Sequence, residues 1–179
     1  KTGALYRAKG QYVRIEGQVR DQQCLPVSNA VVTIWQTDRV GKHQAQYTLF
    51  DQWTLRDPDY DPNFAFSGVA QTDNLGHFSF LTIFPGVSED NPSTAPHINI
   101  RIAHPEFQEL DSRIYFSQHP KNTTDTKLQE LNADDAIRRP DMRQRVTAIG
   151  QPIDPNGYLE GRMYFYDATL TGIDTYISF

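Results

Sequence analysis

The stretch from Thr94 to Ile102 combines residue types that bind ligands with the spacing of a β-strand. Its isoleucines alternate with His97, Asn99 and Arg101, so one face of the strand is apolar and the other is polar. Polar groups that become buried need hydrogen-bond partners or a ligand. The sequence therefore predicts that this polar face meets other polar groups, a metal ion, a ligand or water.

A second predicted strand, Ser112–Phe116, places Arg113 on the same polar face. Such arginines form salt bridges with nearby carboxylates, or they bind the flat oxygen anions of a carboxylate or phenolate ligand. Under the second interpretation, the candidate substrate-pocket residues are Arg113, Asn99 and Arg101. Both interpretations stay open at the level of sequence.

Histidines are the candidate metal ligands, and His97 is the best placed of them. A single histidine on a strand is more often a structural residue with satisfied hydrogen bonds than a metal ligand. His43 lies in a loop rich in aromatic residues, where it faces either solvent or a pocket. No His-X-His pair occurs in the chain, although such a pair is the simplest way for a strand to offer two imidazoles to one metal.

The composition is that of an acidic globular chain, for which we predict one domain over residues 1–179. The net charge of −5 and the pI near 5.5 argue against a general nucleic-acid binder. No apolar run approaches the ~18 residues of a membrane span. The single Cys24 excludes an internal disulfide. No charged start followed by an apolar run is visible, which favours the cytoplasm but leaves the compartment open.

The elements that must hold these residues are mostly strands. We expect an N-terminal arm over 1–10, a sandwich core over 11–117, a small helical insert over 122–139 and C-terminal strands over 143–179. The first two strands, 12–19 and 30–36, are expected to form a hairpin. Aromatic residues in the long loop 37–65 predict that the loop is ordered and packs on the sandwich. The remaining predicted strands are 66–71, 77–83, 97–102, 112–116, 143–149, 158–168 and 174–179.

Together, these segments resemble the intradiol ring-cleavage dioxygenases. The matching pieces keep the order and approximate spacing of that family over residues 11–117. The resemblance implies a mostly β fold, an intradiol-dioxygenase-like β-sandwich with long loops and a small helical insert. The pieces are Gly17-Gln18-Val19-Arg20-Asp21, Ile34-Trp35-Gln36-Thr37-Asp38, Asp61-Pro62-Asn63-Phe64, Thr82-Ile83-Phe84-Pro85-Gly86, Ala95-Pro96-His97-Ile98-Asn99-Ile100 and Arg113-Ile114-Tyr115-Phe116.

The resemblance also implies a non-haem Fe(III) centre in catalytic chains, held by two tyrosines and two histidines. In this chain the two tyrosine positions are His43 and Ser88, and the histidine pair is His97 and Asn99. Tyr47 follows the first tyrosine position by four residues and is a poor substitute for it. Only one ligand position of the family, that of His97, keeps its residue.

This pattern is most similar to the iron-free, alpha-type chains of the protocatechuate 3,4-dioxygenase branch. The leading hypothesis is a non-catalytic chain with no cofactor of its own, which associates with a homologous Fe(III)-binding chain, or with itself, to cleave a small aromatic diol. One alternative is a divergent metal-dependent dioxygenase that uses His43, His97 and Tyr47. Another is a metal-free sandwich that binds a small aromatic ligand.

Overall fold

Within the residues that the structure describes, nine strands form two layers, and this confirms the predicted β-sandwich. The computed structural model describes residues 8–47, 57–116, 119–130, 147–152 and 161–172, with only the backbone described over 147–152 and 161–163. The strands are β1 (Tyr12–Arg20), β2 (Val31–Gln36), β3 (Ser67–Gln71), β4 (His77–Ile83), β5 (His97–Ala103), β6 (Leu110–Phe116), β7 (Thr147–Pro152), β8 (Gly161–Phe165) and β9 (Ala168–Thr169).

One layer has the strand order β3-β2-β5-β6, and the other has the order β7-β8-β1-β4. The two layers join where β6 and β7 pair in parallel, with Tyr115 beside Thr147 and Phe116 beside Ala148. The short strand β9 pairs in parallel with the end of β1. Among the described strands, β3 and β4 stand at the two ends of this order.

Alternating apolar residues from both layers form the core. Ile98, Ile100 and Ile102 of β5 are fully buried, and they belong to the same cluster as Val13 and Ile15 of β1. Burying each such side chain contributes roughly 1.5–3 kcal/mol to folding. The apolar face of β5 therefore packs in the core, and the polar face of the strand points away from it.

The prediction that the first two strands form a hairpin is wrong. β1 pairs with β4, β8 and β9, whereas β2 pairs with β3 and β5 in the opposite layer. A tight turn after β1, in which the Asp21 carboxylate accepts the N–H groups of Gln23 and Leu25, directs the chain across the core. Alternation shows which face of a strand is buried, but it does not show whether the next strand lies beside it or opposite it.

The described parts of the loop 37–65 pack on the sandwich as predicted, whereas residues 48–56 lie outside the described ranges. Tyr47 and Phe66 are buried, and the ring of Tyr47 lies 5.2 Å from that of Tyr60, centroid to centroid. Residues Gln44–Tyr47 form a short 3₁₀ helix. This part of the loop is therefore fixed to the body of the protein.

The helical insert is confirmed as far as it is described. Residues Pro120–Thr123 form a 3₁₀ helix and residues 126–130 are α-helical, while 131–139 lie outside the described ranges. The predicted segments 1–7, 143–146, 153–160 and 174–179 also lie outside them. No helix within the described part of the chain is long and apolar enough to cross a membrane.

Candidate functional site

The polar face of β5 is extended by side chains of both neighbouring strands. The antiparallel register places His97 beside Tyr115, and it places Asn99 between Arg113 of β6 and Trp35 of β2. Directly paired residues of neighbouring strands point to the same face of a sheet. The prediction that Arg113 shares a face with His97 and Asn99 is therefore confirmed.

His97 is half-buried, and the carbonyl of the nearby Ala95 fixes the orientation of its ring. Nδ1 lies 2.9 Å from the Ala95 carbonyl oxygen. Because a carbonyl oxygen can only accept a hydrogen bond, this contact requires the hydrogen to be on Nδ1. In the neutral ring, Nε2 therefore carries the lone pair. Burial lowers the pKa of His97, and the positive charge of Arg113 adds to this effect. The neutral, electron-pair-donating form of His97 is thus favoured.

Arg113 is half-buried and is held by Tyr115. Its Nη1 donates to the Tyr115 hydroxyl at 3.3 Å, and this hydroxyl lies 3.4 Å from Oδ1 of Asp125, to which it donates. Tyr115 is fully buried, and that burial raises the pKa of its phenol. Among the residues that the structure describes, no carboxylate lies within 4.0 Å of the Arg113 guanidinium.

Asp125 joins the short helix to the strands of the site. Its Oδ1 accepts the N–H of Leu128 at 3.0 Å, as expected of an N-cap, and its Oδ2 accepts the N–H of Ala95 at 2.7 Å. The side chain is only 3% exposed. A single carboxylate therefore fixes the start of β5, the end of β6 and the first turn of the helix.

Arg101 has a different environment, although it lies on the same face. It forms a bidentate pair with Asp111, with N–O distances of 2.7 and 2.9 Å, and its Nε lies 3.2 Å from Glu109. The Asp111 carboxylate raises the pKa of Arg101. This is the salt-bridge arrangement, and a contact between Arg101 and a substrate stays a prediction.

Two interlocked loops carry His43 and Ser88, the residues that the resemblance places at the tyrosine positions. The Gly86 N–H donates to the Asp38 carbonyl at 2.7 Å, and the Glu89 N–H donates to the Gly41 carbonyl at 3.2 Å. Gly41 has a φ of +92°, and a Cβ at this position would lie 1.8 Å from the Val87 carbonyl oxygen. The close approach of the loops thus requires glycine at position 41.

Tyr47, the substitute considered for the first family tyrosine, is engaged elsewhere. Its hydroxyl donates to the buried carboxylate of Asp38. Burial, together with the negative charge of Asp38, raises the pKa of Tyr47 well above the ordinary tyrosine value. A phenolate at Tyr47 is therefore strongly disfavoured.

The residues that the resemblance places at the ligand positions do not fit Fe(III). This ion is hard and prefers anionic oxygen donors, but the four positions hold two imidazoles, a serine hydroxyl and an amide. Within the described ranges, no group of three His, Cys, Asp or Glu side chains could hold a metal ion. The role of His43 and His97 as metal ligands stays a prediction.

Three side chains of this face were not assigned to the site by sequence reasoning: Trp35, Tyr115 and Asp125. The period of two that pairs Arg113 with Tyr115 was available in the sequence and could have identified Tyr115. Asp125 could not be assigned to the site from sequence, because its bond to Ala95 spans 30 residues of sequence. Trp35 required the register of β2 against β5.

Comparison with known proteins agrees with this architecture. The family model described as dioxygenase matches residues 6–172. A putative dioxygenase of Rickettsia felis is 34% identical over 134 residues, which cover 74% of this chain and 62% of the relative. The alpha chain of protocatechuate 3,4-dioxygenase from Pseudomonas putida is 28% identical over 150 residues, which cover 82% of this chain and 67% of the relative.

The fold comparison includes the dioxygenase domain of a dioxygenase carbohydrate-binding protein fusion from Streptomyces sp. SirexAA-E. It superposes with a TM-score of 0.64 at 23% identity, covering 93% of this chain and 83% of the other. At this identity the likeness establishes the fold. The chain spans 62% of the length of the Rickettsia relative. The family model over residues 6–172 and the protocatechuate 3,4-dioxygenase relative together show that the chain belongs to the intradiol ring-cleavage dioxygenase family.

Proposed function

We propose that this protein is an iron-free, alpha-type chain that supports intradiol cleavage of a catechol-type aromatic by a homologous Fe(III)-binding chain. The observation that carries the proposal is the set of residues at the family tyrosine positions, His43 and Ser88. Neither side chain supplies the anionic oxygen that the phenolates of catalytic chains supply to Fe(III).

Electrostatics supports this proposal. An ion moved into a partly buried site without compensating charge costs several kcal/mol. Arg113 adds a further positive charge on the face of His97, where a trivalent cation would be repelled. Tyr47 cannot relieve this deficit without breaking its bond to Asp38.

The preserved framework of the site is a second support. The sandwich fold is shared with the solved dioxygenase domain, and the resemblance keeps His97 while the residues at the other three ligand positions differ. The relative from Pseudomonas putida is by name the alpha chain of an enzyme that has more than one kind of chain. A folded chain that has lost its metal ligands is expected to persist if its surface serves such an assembly.

The test measures iron and turnover in the purified chain. Plasma mass spectrometry should find no stoichiometric iron, and the visible spectrum should lack a tyrosinate-to-iron band. Oxygen uptake with protocatechuate, catechol or hydroxyquinol should be absent for the chain alone. Uptake should appear when a homologous Fe(III)-binding chain is co-expressed and co-purifies with it. Stoichiometric iron, or turnover by the chain alone, would overturn the proposal and favour an independent enzyme.

A rebuilt site provides the positive control. The triple variant His43→Tyr, Ser88→Tyr, Asn99→His restores two phenolates and the second imidazole on the existing framework. We expect this variant to bind Fe(III) and to acquire the visible band. A folded triple variant that takes up no iron would show that these positions do not converge on one site.

A further inference from the structure

We propose that two copies of this chain associate through β3, each β3 pairing antiparallel with the other across a two-fold axis at Val69. The inference goes beyond the proposed function, because it assigns the chain a partner of its own kind and does not depend on iron. The strand β2 separates β3 from β5, which carries His97 and Asn99. The proposed interface and the candidate site can therefore be tested independently.

One side of β3 has no neighbouring strand among those that the structure describes. The strand pairs with β2, in an antiparallel register that runs from Val31 beside Gln71 to Trp35 beside Ser67 without a bulge. Strands at the end of a sheet are commonly protected from further pairing by a charged side chain, a proline or a bulge. The sequence of β3, Ser67-Gly68-Val69-Ala70-Gln71, contains no charged residue and no proline. The strand is therefore suited to accept another strand.

The hydrogen bonds to β2 decide which backbone groups of β3 point to its unpaired side. At the two ends of the β2–β3 pair, the Gln36 N–H donates to the Phe66 carbonyl at 3.0 Å and the Thr72 N–H donates to the Ala30 carbonyl at 2.9 Å. In an antiparallel pair, residues that bond to the neighbouring strand alternate with residues that do not. Every second residue of β3 therefore directs its N–H and C=O groups away from β2. These residues are Ser67, Val69 and Gln71.

The spacing of these outward residues makes β3 complementary to itself. A two-fold axis at Val69 places this residue opposite Val69 of the second copy, and it places Ser67 opposite Gln71. The two Val69 residues then exchange their N–H···O=C bonds, and each Gln71 N–H reaches a Ser67 carbonyl. The Ser67 N–H already donates to the Ala65 carbonyl at 2.7 Å, so it needs no partner across the axis. A second copy supplies these groups in the matching phase by identity, as an isologous interface requires.

The side chains on the outer face of β3 agree with this pairing. Val69 is 69% exposed, and in the dimer it would lie against its own counterpart. Val31 and Trp35 of β2 are exposed on the same face and extend the apolar surface beside it. The Ser67 hydroxyl and the Gln71 amide, opposite one another across the axis, can form a hydrogen bond. An interface of this kind is small, so the dimer should depend on protein concentration.

The experiment is sedimentation velocity of the full chain from about 10 μM to about 1 mM, over which the wild type should shift from monomer to dimer. Val69→Lys and Val69→Glu should each weaken dimerisation at least about 10-fold, because each places like charges opposite one another at the axis. An equimolar mixture of the two variants should restore the dimer. The matched control is Leu81→Lys, since Leu81 is 59% exposed on β4, and this variant should dimerise like the wild type. Circular dichroism verifies that each variant is folded.

Several results would overturn the inference. A wild type that stays monomeric over this range overturns it, as does a dimer that persists in both folded charge variants. Failure of the mixture to dimerise shows that residue 69 does not lie at a two-fold axis, and loss of the dimer in Leu81→Lys moves the interface to β4. A monomeric wild type that binds a homologous Fe(III)-binding chain, and loses this binding in Val69→Lys, assigns β3 to that chain instead. These outcomes leave the iron content and the oxygen uptake of the chain unchanged, so the proposed function stands or fails separately.

Discussion

Replacement of Asp125 by alanine is expected to destabilise the protein far more than the loss of an ordinary helix cap. Loss of the cap on Leu128 costs about 1 kcal/mol. The Ala95 N–H, buried and bonded to the same carboxylate at 2.7 Å, would be left without a partner at a further cost of about 1–3 kcal/mol. The Tyr115 contact at 3.4 Å is long and adds little. The total loss is therefore about 2–4 kcal/mol.

Urea denaturation followed by far-UV circular dichroism measures this loss. The matched control is Asp73→Ala, because one oxygen of Asp73 also accepts two backbone N–H groups, each at 2.8 Å. Asp73 is exposed, so water replaces its carboxylate and the loss should be clearly smaller. Asp125→Asn keeps one carbonyl acceptor and should fall between the wild type and Asp125→Ala.

The comparison of these variants tests whether Asp125 is a buried junction. A loss of stability in Asp125→Ala no larger than that in Asp73→Ala would refute this idea.

Three further changes test separate parts of the structure. Gly17→Ala should lower the free energy of unfolding, measured in urea, by about 3 kcal/mol, because the added Cβ would lie 1.8 Å from the Tyr166 carbonyl oxygen. Gly68→Ala is the control and should be tolerated, because its added Cβ would have no contact shorter than 3.4 Å. His97 has a lowered pKa in the folded state, so the stability that depends on it is full above the unfolded pKa of about 6.5 and declines as the pH falls below that value. The slope of unfolding free energy against pH in this range should be smaller in His97→Gln, and an equal slope would contradict the assignment. Tyr47→Phe removes a hydrogen bond to a buried carboxylate and should lower the free energy of unfolding by about 1–2 kcal/mol. The iron content of the purified protein should stay the same. A change in iron content would identify Tyr47 as a ligand.

Local patterns in the sequence predicted which side chains share a face. The alternation in β5 placed the isoleucines in the core and turned His97 and Asn99 outward, and the same period of two placed Arg113 beside them. An aspartate directly before a helix, as Asp125 is, is a common N-cap. These properties depend on backbone geometry over a few residues, so they can be read from the sequence.

The pairing of strands and the partners of charged side chains were decided by tertiary structure. Local alternation suggested a hairpin between β1 and β2, yet the chain crosses the core between them because both strands bury an apolar face and lie in opposite layers. Arg101 and Arg113 were equivalent candidates in the sequence. In the folded protein, strand register and loop position place two carboxylates beside Arg101. Arg113 instead donates to the Tyr115 hydroxyl, which in turn donates to Asp125. A side chain's direction is set by its own backbone, whereas its neighbours depend on contacts between segments distant in sequence, and no local pattern encodes these contacts.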